Sequence, residues 1–246
     1  MTDSHAIDGY ELAARFSYRV NALRYCGPEE GKNQFRRYLL GERTLELQQE
    51  ISSSIKRFEA LYPYLKLISE KTGRDLLDSK VVEAYWVGNE LLNKFDKSDM
   101  NKLIDVLISR GLPKSLGEKL IQNMPAEGFP HHTFHVMYVG VGNVTGHVET
   151  TIQNMDNCRI SIGKVLQTID DHFIVETDTL LEKSGKLYLE HDTKTIVYDP
   201  ELLPDIKEDD YIAIHWGFAC MKLTNNQVEH LRKYTLKAIE LRNSLI

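Results

Sequence analysis

Apolar residues between Asn33 and Met124 recur every three or four positions, which is the spacing that lines one face of an α-helix. The longest such stripe runs through residues 45–71. It predicts one amphipathic helix, bent near Pro63 because proline disturbs a helix interior. Three more helices are predicted over 78–95, from a Ser98 cap to Gly111, and over 115–124. The first half of the chain is therefore predicted to be helical.

The pattern changes at residues 125–130, which contain two prolines and a glycine. Residues 131–140 combine β-branched and aromatic side chains and predict a strand, and helical spacing in 145–157 predicts a short helix leading to Cys158. Short strands separated by polar turns are predicted over 160–168, 173–176, 186–189, 195–198 and 211–215. A last helix is predicted to begin at a Thr224 cap.

Together these elements predict an α+β protein in three parts. Residues 1–130 are expected to form an N-terminal all-helical domain, and residues 131–157 a histidine-rich strand with a connecting segment. Residues 158–246 are expected to form a small OB-like β-barrel followed by a C-terminal helix. Because 42% of the 246 residues are hydrophobic, the chain can supply the core of one large domain or of two modest ones.

Charge and cysteine content narrow the range of partners. The formal net charge of -6 argues against attraction to nucleic acid or to an anionic membrane surface. No apolar run approaches 18 residues, and the first ten residues lack the pattern of a signal peptide, so we expect a cytoplasmic protein without a membrane partner. The three cysteines are an odd number, which is more typical of reduced thiols than of a disulfide framework.

Two groups of residues are candidate metal ligands. Cys158 and His215 offer a thiol and an imidazole, which late transition metals favour. His131 and His135 would lie on one face of the predicted strand, with His132 on the other, and two imidazoles on one face can begin a zinc, iron or nickel site. A structural role for these histidines, through hydrogen bonds at the junction between the two halves, is the alternative.

A pocket is also expected around Gly88, which lies within the predicted helix 78–95. A helical glycine often marks the close approach of a ligand or of another backbone. The polar residues around it are Glu83, Tyr85, Asn89 and Glu90, and Cys26 lies in a turn that could add to such a pocket. Simple packing accounts for the glycine equally well.

Residues 158–246 carry two strings in an order and spacing that identify a family. The first is CRISIGKV (residues 158–165) and the second is DYIAIHWGFA (residues 210–219), followed by a terminal helix. This segment resembles the HypC/HupF family of NiFe-hydrogenase assembly chaperones. The chain departs from the family in two ways. The family's cysteine stands next to its initiating methionine, whereas Cys158 lies far from it, and the family has proline where this chain has Ile162.

The resemblance implies a hydrogenase maturation factor. It implies that Cys158, helped by His215, holds an iron bearing cyanide and carbon monoxide ligands, and passes it from a HypD-like maturation scaffold to the hydrogenase large-subunit precursor. No catalytic residue is assigned. Two alternatives from other classes are a metal-dependent enzyme whose active site lies between the helical domain and the histidine-rich segment, and a metal-free protein-interaction module.

Overall fold

The structure, a computed structural model, describes residues 7–245. The α-helices are α1 (Gly9–Ala22), α2 (Gly31–Leu39), α3 (Leu45–Arg57), α4 (Leu61–Thr72), α5 (Ser79–Trp86), α6 (Lys97–Ser109), α7 (Lys114–Gln122), α8 (His132–Phe134), α9 (Ile152–Cys158) and α10 (Asn225–Asn243). A 3-10 helix spans Glu90–Lys94 and a π-helix spans His135–Gly140. Helix α10 begins as predicted, since the Thr224 side chain accepts from the backbone N–H of Gln227.

The strands form a closed barrel in the order β1-β2-β3-β5-β4. They are β1 (Ser161–Ile169), β2 (His172–Lys183), β3 (Lys186–Val197), β4 (Tyr211–His215) and β5 (Phe218–Leu223). All neighbours are antiparallel except β3 and β5, which pair in parallel at Val197 and Phe218. The barrel is filled by Val165, Phe173, Val175, Ile196, Leu203, Ile212, Ile214 and Ala219.

The expected separate all-helical N-terminal domain is wrong, because helices and barrel share one core. A single cluster of buried residues includes Phe16 from α1, Trp86 from α5, Phe218 from β5 and Tyr234 from α10. The guanidinium of Arg15 also donates across this boundary, to backbone carbonyls of the barrel half. Helical periodicity shows which face of a helix is buried but not what covers it, so the sequence could not reveal this shared core.

The helix predicted over 45–71 is two helices, α3 and α4, separated by an extended Phe58 with ψ of 125°. Pro63 lies in the first turn of α4, where proline is tolerated, so it does not bend a helix interior. The predicted apolar stripe is nevertheless buried along its whole length. Helix α6 begins at an Asp96 cap, not at Ser98.

The helix predicted over 78–95 ends at Trp86, and Gly88 explains the interruption. Its φ of +94° is a left-handed conformation, and a Cβ there would lie 2.2 Å from the ring of Tyr234 in α10. The Tyr234 hydroxyl donates to the backbone carbonyl of Asn89 at 2.9 Å. The glycine therefore allows α10 to pack closely against this turn, which is the packing role that the sequence left open.

The strand predicted over 131–140 is wrong, because these residues form α8 and the π-helix. Every residue from His131 to Gly140 is buried. A segment covered on all sides shows neither helical nor strand alternation, so its β-branched content misled the prediction. The strands predicted over 186–189 and 195–198 are the two ends of β3, and β5 was not predicted.

Across the described residues, no helix combines the length and the apolar character needed to cross a membrane.

Candidate metal centre

Three buried side chains from distant parts of the chain meet between the helices and the barrel. They are His132 at the start of α8, Cys158 at the end of α9 and His215 at the end of β4. One ligand atom of each lies within 4.8 Å of the other two. Their exposed fractions are 6%, 8% and 1%, so the cluster is shielded from solvent.

The cysteine is held in place by an ionic network centred on Asp156, two residues before it. Asp156 Oδ1 accepts from the Arg159 guanidinium, at 2.7 Å from Nη2, and from the Leu180 backbone N–H at 2.8 Å. Its Oδ2 accepts from Lys194 Nζ at 2.7 Å. Because a buried carboxylate is stable only when it is paired and hydrogen-bonded, these contacts fasten the end of α9 to β2 and β3 and fix the position of Cys158.

A tight turn between β4 and β5 links the cysteine to His215. Trp216 and Gly217 both have left-handed φ values, 51° and 66°, as a two-residue hairpin turn of type I′ requires. The conformation is unusual for a residue as bulky as tryptophan. The Trp216 backbone N–H donates to the Asn157 carbonyl at 2.7 Å, which ties the two ligand-bearing segments together.

The imidazole of His215 has a defined tautomer. Its Nδ1 lies 2.9 Å from the Phe16 carbonyl, and because a carbonyl only accepts, Nδ1 carries the proton. Nε2 therefore has a free lone pair. Within residues 7–245, this buried Nε2 has no hydrogen-bond partner. An imidazole oriented by a backbone carbonyl, with the other nitrogen free, is the usual arrangement of a metal-ligating histidine.

His132 can exchange between two tautomers without losing a hydrogen bond to Tyr85. Its Nε2 lies 2.8 Å from the Cys158 carbonyl and 3.7 Å from the Cys158 Sγ, and its Nδ1 lies 3.0 Å from the Tyr85 hydroxyl. With the carbonyl as acceptor, Nε2 carries the proton and Tyr85 donates to Nδ1. Because a hydroxyl both donates and accepts, the proton can instead sit on Nδ1; His132 then gives up its hydrogen bond to the Cys158 carbonyl, and the Nε2 lone pair becomes available to a metal.

Burial sets the protonation of all three groups. It lowers the pKa of His215 to about 4 and the pKa of His132 well below its usual value, and it raises the pKa of the Cys158 thiol well above its usual value. At neutral pH both imidazoles are in the neutral form that binds metals, and a metal would displace the thiol proton. Tetrahedral bonds of about 2.1 and 2.3 Å would hold nitrogen and sulphur about 3.6 Å apart. The measured 3.7 Å between His132 and Cys158 fits that geometry.

The cluster lines a cavity of about 50 Å³. Its walls also include Tyr85, Trp86, His135, Trp216 and Cys26. Cys26 is one of three free cysteines, and burial raises the pKa of its thiol to about 12.

Of the predicted ligands, the structure brings Cys158 and His215 together and joins them with His132 rather than with His131 or His135. His135 lines the same cavity, with Nδ1 3.0 Å from the Tyr64 hydroxyl. The His131 ring is stacked on an aromatic ring of α10, and its Nδ1 accepts from a backbone N–H. The strand prediction set His132 apart from the other two. A helix would have placed His132 and His135 on one face, three residues apart.

The residues predicted to form a pocket divide into two groups. Tyr85 and Cys26 line the cavity. Glu83 accepts hydrogen bonds from Lys80, Asn89 and Gln227. Asn89 Oδ1 accepts from the first turn of the 3-10 helix, and Glu90 is exposed. These last three residues lie outside the cavity wall.

A buried cluster of one cysteine and two histidines, set between helices and a closed barrel, defines a candidate metalloprotein. The chain belongs to a family described as a family of unknown function (DUF6390), whose model matches residues 5–246. The assignment of residues 158–246 to the HypC/HupF family is therefore wrong, since the family covers the helical half and the barrel as one unit. Searches of curated proteins and of solved structures give no match.

Proposed function

We propose that this protein binds one divalent transition-metal ion through Cys158 Sγ, His132 Nε2 and His215 Nε2. The observation that carries the proposal is the buried Nε2 of His215, which has a free lone pair, no partner within residues 7–245, and a thiol and a second imidazole within 4.8 Å. Leaving such an atom unsatisfied costs about 1–3 kcal/mol, which a metal bond would offset. A thiolate and two imidazoles favour late first-row metals, iron and zinc among them, over magnesium or calcium.

We favour a metal-dependent enzyme over a metal carrier. Three protein ligands leave a fourth position open, as in catalytic zinc sites, and the ligands lie at the wall of a cavity. Ligands that are at most 8% exposed suit an ion that stays in place better than one that is handed to a partner. A metal at this position would supply Lewis-acid activation of a bound group. This is a form of the alternative in which helical residues and the histidine-rich segment build the active site.

The hydrogenase role, its two partner proteins and the cyanide and carbon monoxide ligands depended on the HypC/HupF resemblance. They stay predictions without that support. We place the protein in the cytoplasm, because its three cysteines are free and a ligand thiol must remain reduced.

The test is metal analysis of the full chain purified anaerobically, followed by reconstitution with cobalt(II). We expect one equivalent of cobalt with thiolate-to-metal charge-transfer absorption, and loss of both in Cys158→Ser. The matched control is Cys220→Ser, which removes another buried thiol, one that donates to the Phe218 backbone carbonyl and is not part of the cluster. A second control is His131→Gln, since His131 is buried beside the site but is not part of the cluster.

Retention of cobalt in Cys158→Ser, or its loss in both controls to the same extent, would contradict the assignment. Stoichiometric binding of a protein partner with no metal in the wild type would favour the metal-free interaction module instead.

A further inference from the structure

The charge of the proposed centre does not balance within the cavity. One thiolate and two neutral imidazoles leave a divalent metal with a net charge of about +1. Among the described residues that line the cavity, none is an aspartate, glutamate, lysine or arginine. His135 and Cys26 also line the cavity and can titrate. Both are neutral at pH 7, because burial lowers the pKa of the imidazole to about 4 and raises the pKa of the thiol to about 12. The charge of Glu59 contributes to the raised pKa of Cys26, but Glu59 does not line the cavity.

An uncompensated charge in an apolar cavity is costly, so a fourth ligand carrying one negative charge is favoured over a neutral one or a dianion. Hydroxide would balance the charge. It would not match the hydrogen-bond donors and the apolar surface of the cavity wall.

Two buried indole N–H groups point to a ligand with hydrogen-bond acceptors. Trp216 and Trp86 both line the cavity and are 8% and 3% exposed, and neither Nε1 has an acceptor within residues 7–245. Trp216 follows the ligand His215 directly in the chain, and both residues line the cavity. Indole N–H groups are normally hydrogen-bonded when buried.

The rest of the cavity wall is apolar and favours a ligand with an apolar body. Val20, Phe58, Leu61, Val141, Val144 and Val148 form most of its remaining wall. The cavity is small, at about 50 Å³, so the apolar body that it accepts is a short chain.

We propose that the cavity binds a small monocarboxylate with an aliphatic body, whose carboxylate occupies the open metal position and accepts a hydrogen bond from Trp216. The inference rests on the proposed metal function. It assigns a class of substrate or ligand to that site: a short-chain aliphatic acid.

The test uses the cobalt-loaded full chain and follows its visible d–d absorption during titration with butyrate. We expect a saturable spectral change with butyrate, little change with the isosteric neutral butyramide, and little with the dianion sulfate. In Trp216→Phe, the apparent affinity for butyrate should fall by about three- to tenfold, the loss expected for one hydrogen bond.

A second variant tests the role of the ligand's apolar body separately from the role of its charge. Val148→Phe adds bulk to a half-buried apolar wall residue and should block butyrate while azide, a small monoanion, still binds. Absence of cobalt binding would defeat the metal function itself. Normal cobalt binding with no response to butyrate, or an equal response to butyramide, would overturn only the ligand assignment, and azide binding without butyrate binding would reduce the ligand to a simple anion.

Discussion

Four histidines in this fold, His131, His132, His135 and His215, are almost completely buried in the uncharged form. Burial lowers the pKa of His131 to about 3 and those of His135 and His215 to about 4, and it lowers the pKa of His132 well below its usual value. In the unfolded chain each would titrate near 6.5. We therefore predict that mild acid unfolds the metal-free protein before most of its carboxylates titrate.

The sign follows from proton linkage. Below about pH 6.5 the unfolded state binds protons that the folded state refuses, so stability is complete above that pH and falls until the folded pKa values near 4 are reached. Each histidine costs about 2 kcal/mol between pH 7 and pH 5, and the four together cost about 7 kcal/mol. That is comparable to the whole stability of a typical domain, which is about 5–15 kcal/mol. The midpoint of acid unfolding should therefore lie near pH 5.

The assay is urea unfolding of chelator-treated protein at pH 7, 6 and 5, followed by circular dichroism. The free energy of unfolding should fall by about 4–5 kcal/mol between pH 6 and pH 5. His135→Gln, which keeps a polar partner for the Tyr64 hydroxyl, should reduce that fall by about a quarter. The control His147→Gln changes an exposed histidine and should leave the fall unchanged. Equal stability at pH 7 and pH 5, or the same pH dependence in His135→Gln, would refute the reasoning.

Three further predictions concern single side chains. Tyr85→Phe removes the hydrogen bond that orients a ligand imidazole, and should weaken metal affinity by about 10- to 100-fold in chelator competition; unchanged affinity would argue against that role. Gly88→Ala should destabilise by at least about 2 kcal/mol more than Gly41→Ala in urea unfolding, because both have positive φ but only Gly88 would clash with Tyr234. Asp156→Asn should cost about 3–5 kcal/mol in the same assay by leaving the buried Arg159 guanidinium without its charge partner, and a cost below about 1 kcal/mol would contradict this.

Local patterns in the sequence identified buried faces well. The stripe within 45–71 is buried throughout, and α10 begins at the predicted Thr224 cap. These features depend on neighbouring residues, which the sequence displays directly. The break at Phe58 was missed because the apolar spacing continues through it. The strands predicted over 186–189 and 195–198 are one strand, β3, whose length depends on pairing with distant partners.

The histidines show where local reasoning stops. His131, His132 and His135 lie in one short segment, and His132 and His135 line the same cavity, but only the ring of His132 meets Cys158 and His215 and joins the cluster. Choosing among them required the helical geometry of a segment whose complete burial had erased its periodicity. Cys158 and His215 were singled out for their chemistry, which the sequence states outright, whereas the third member depends on tertiary packing.

The barrel alone cannot make this site, which explains why two well-spaced motifs within it pointed to the wrong family. The barrel half supplies Cys158 and His215, but the tautomer of His215 is set by the carbonyl of Phe16 in α1. The second imidazole, that of His132, comes from α8 and is oriented by Tyr85 in α5. Both ligand histidines thus depend on a helix that precedes the barrel in the chain. A centre built in this way requires the two halves to fold as one unit, and that dependence matches a family that spans both halves.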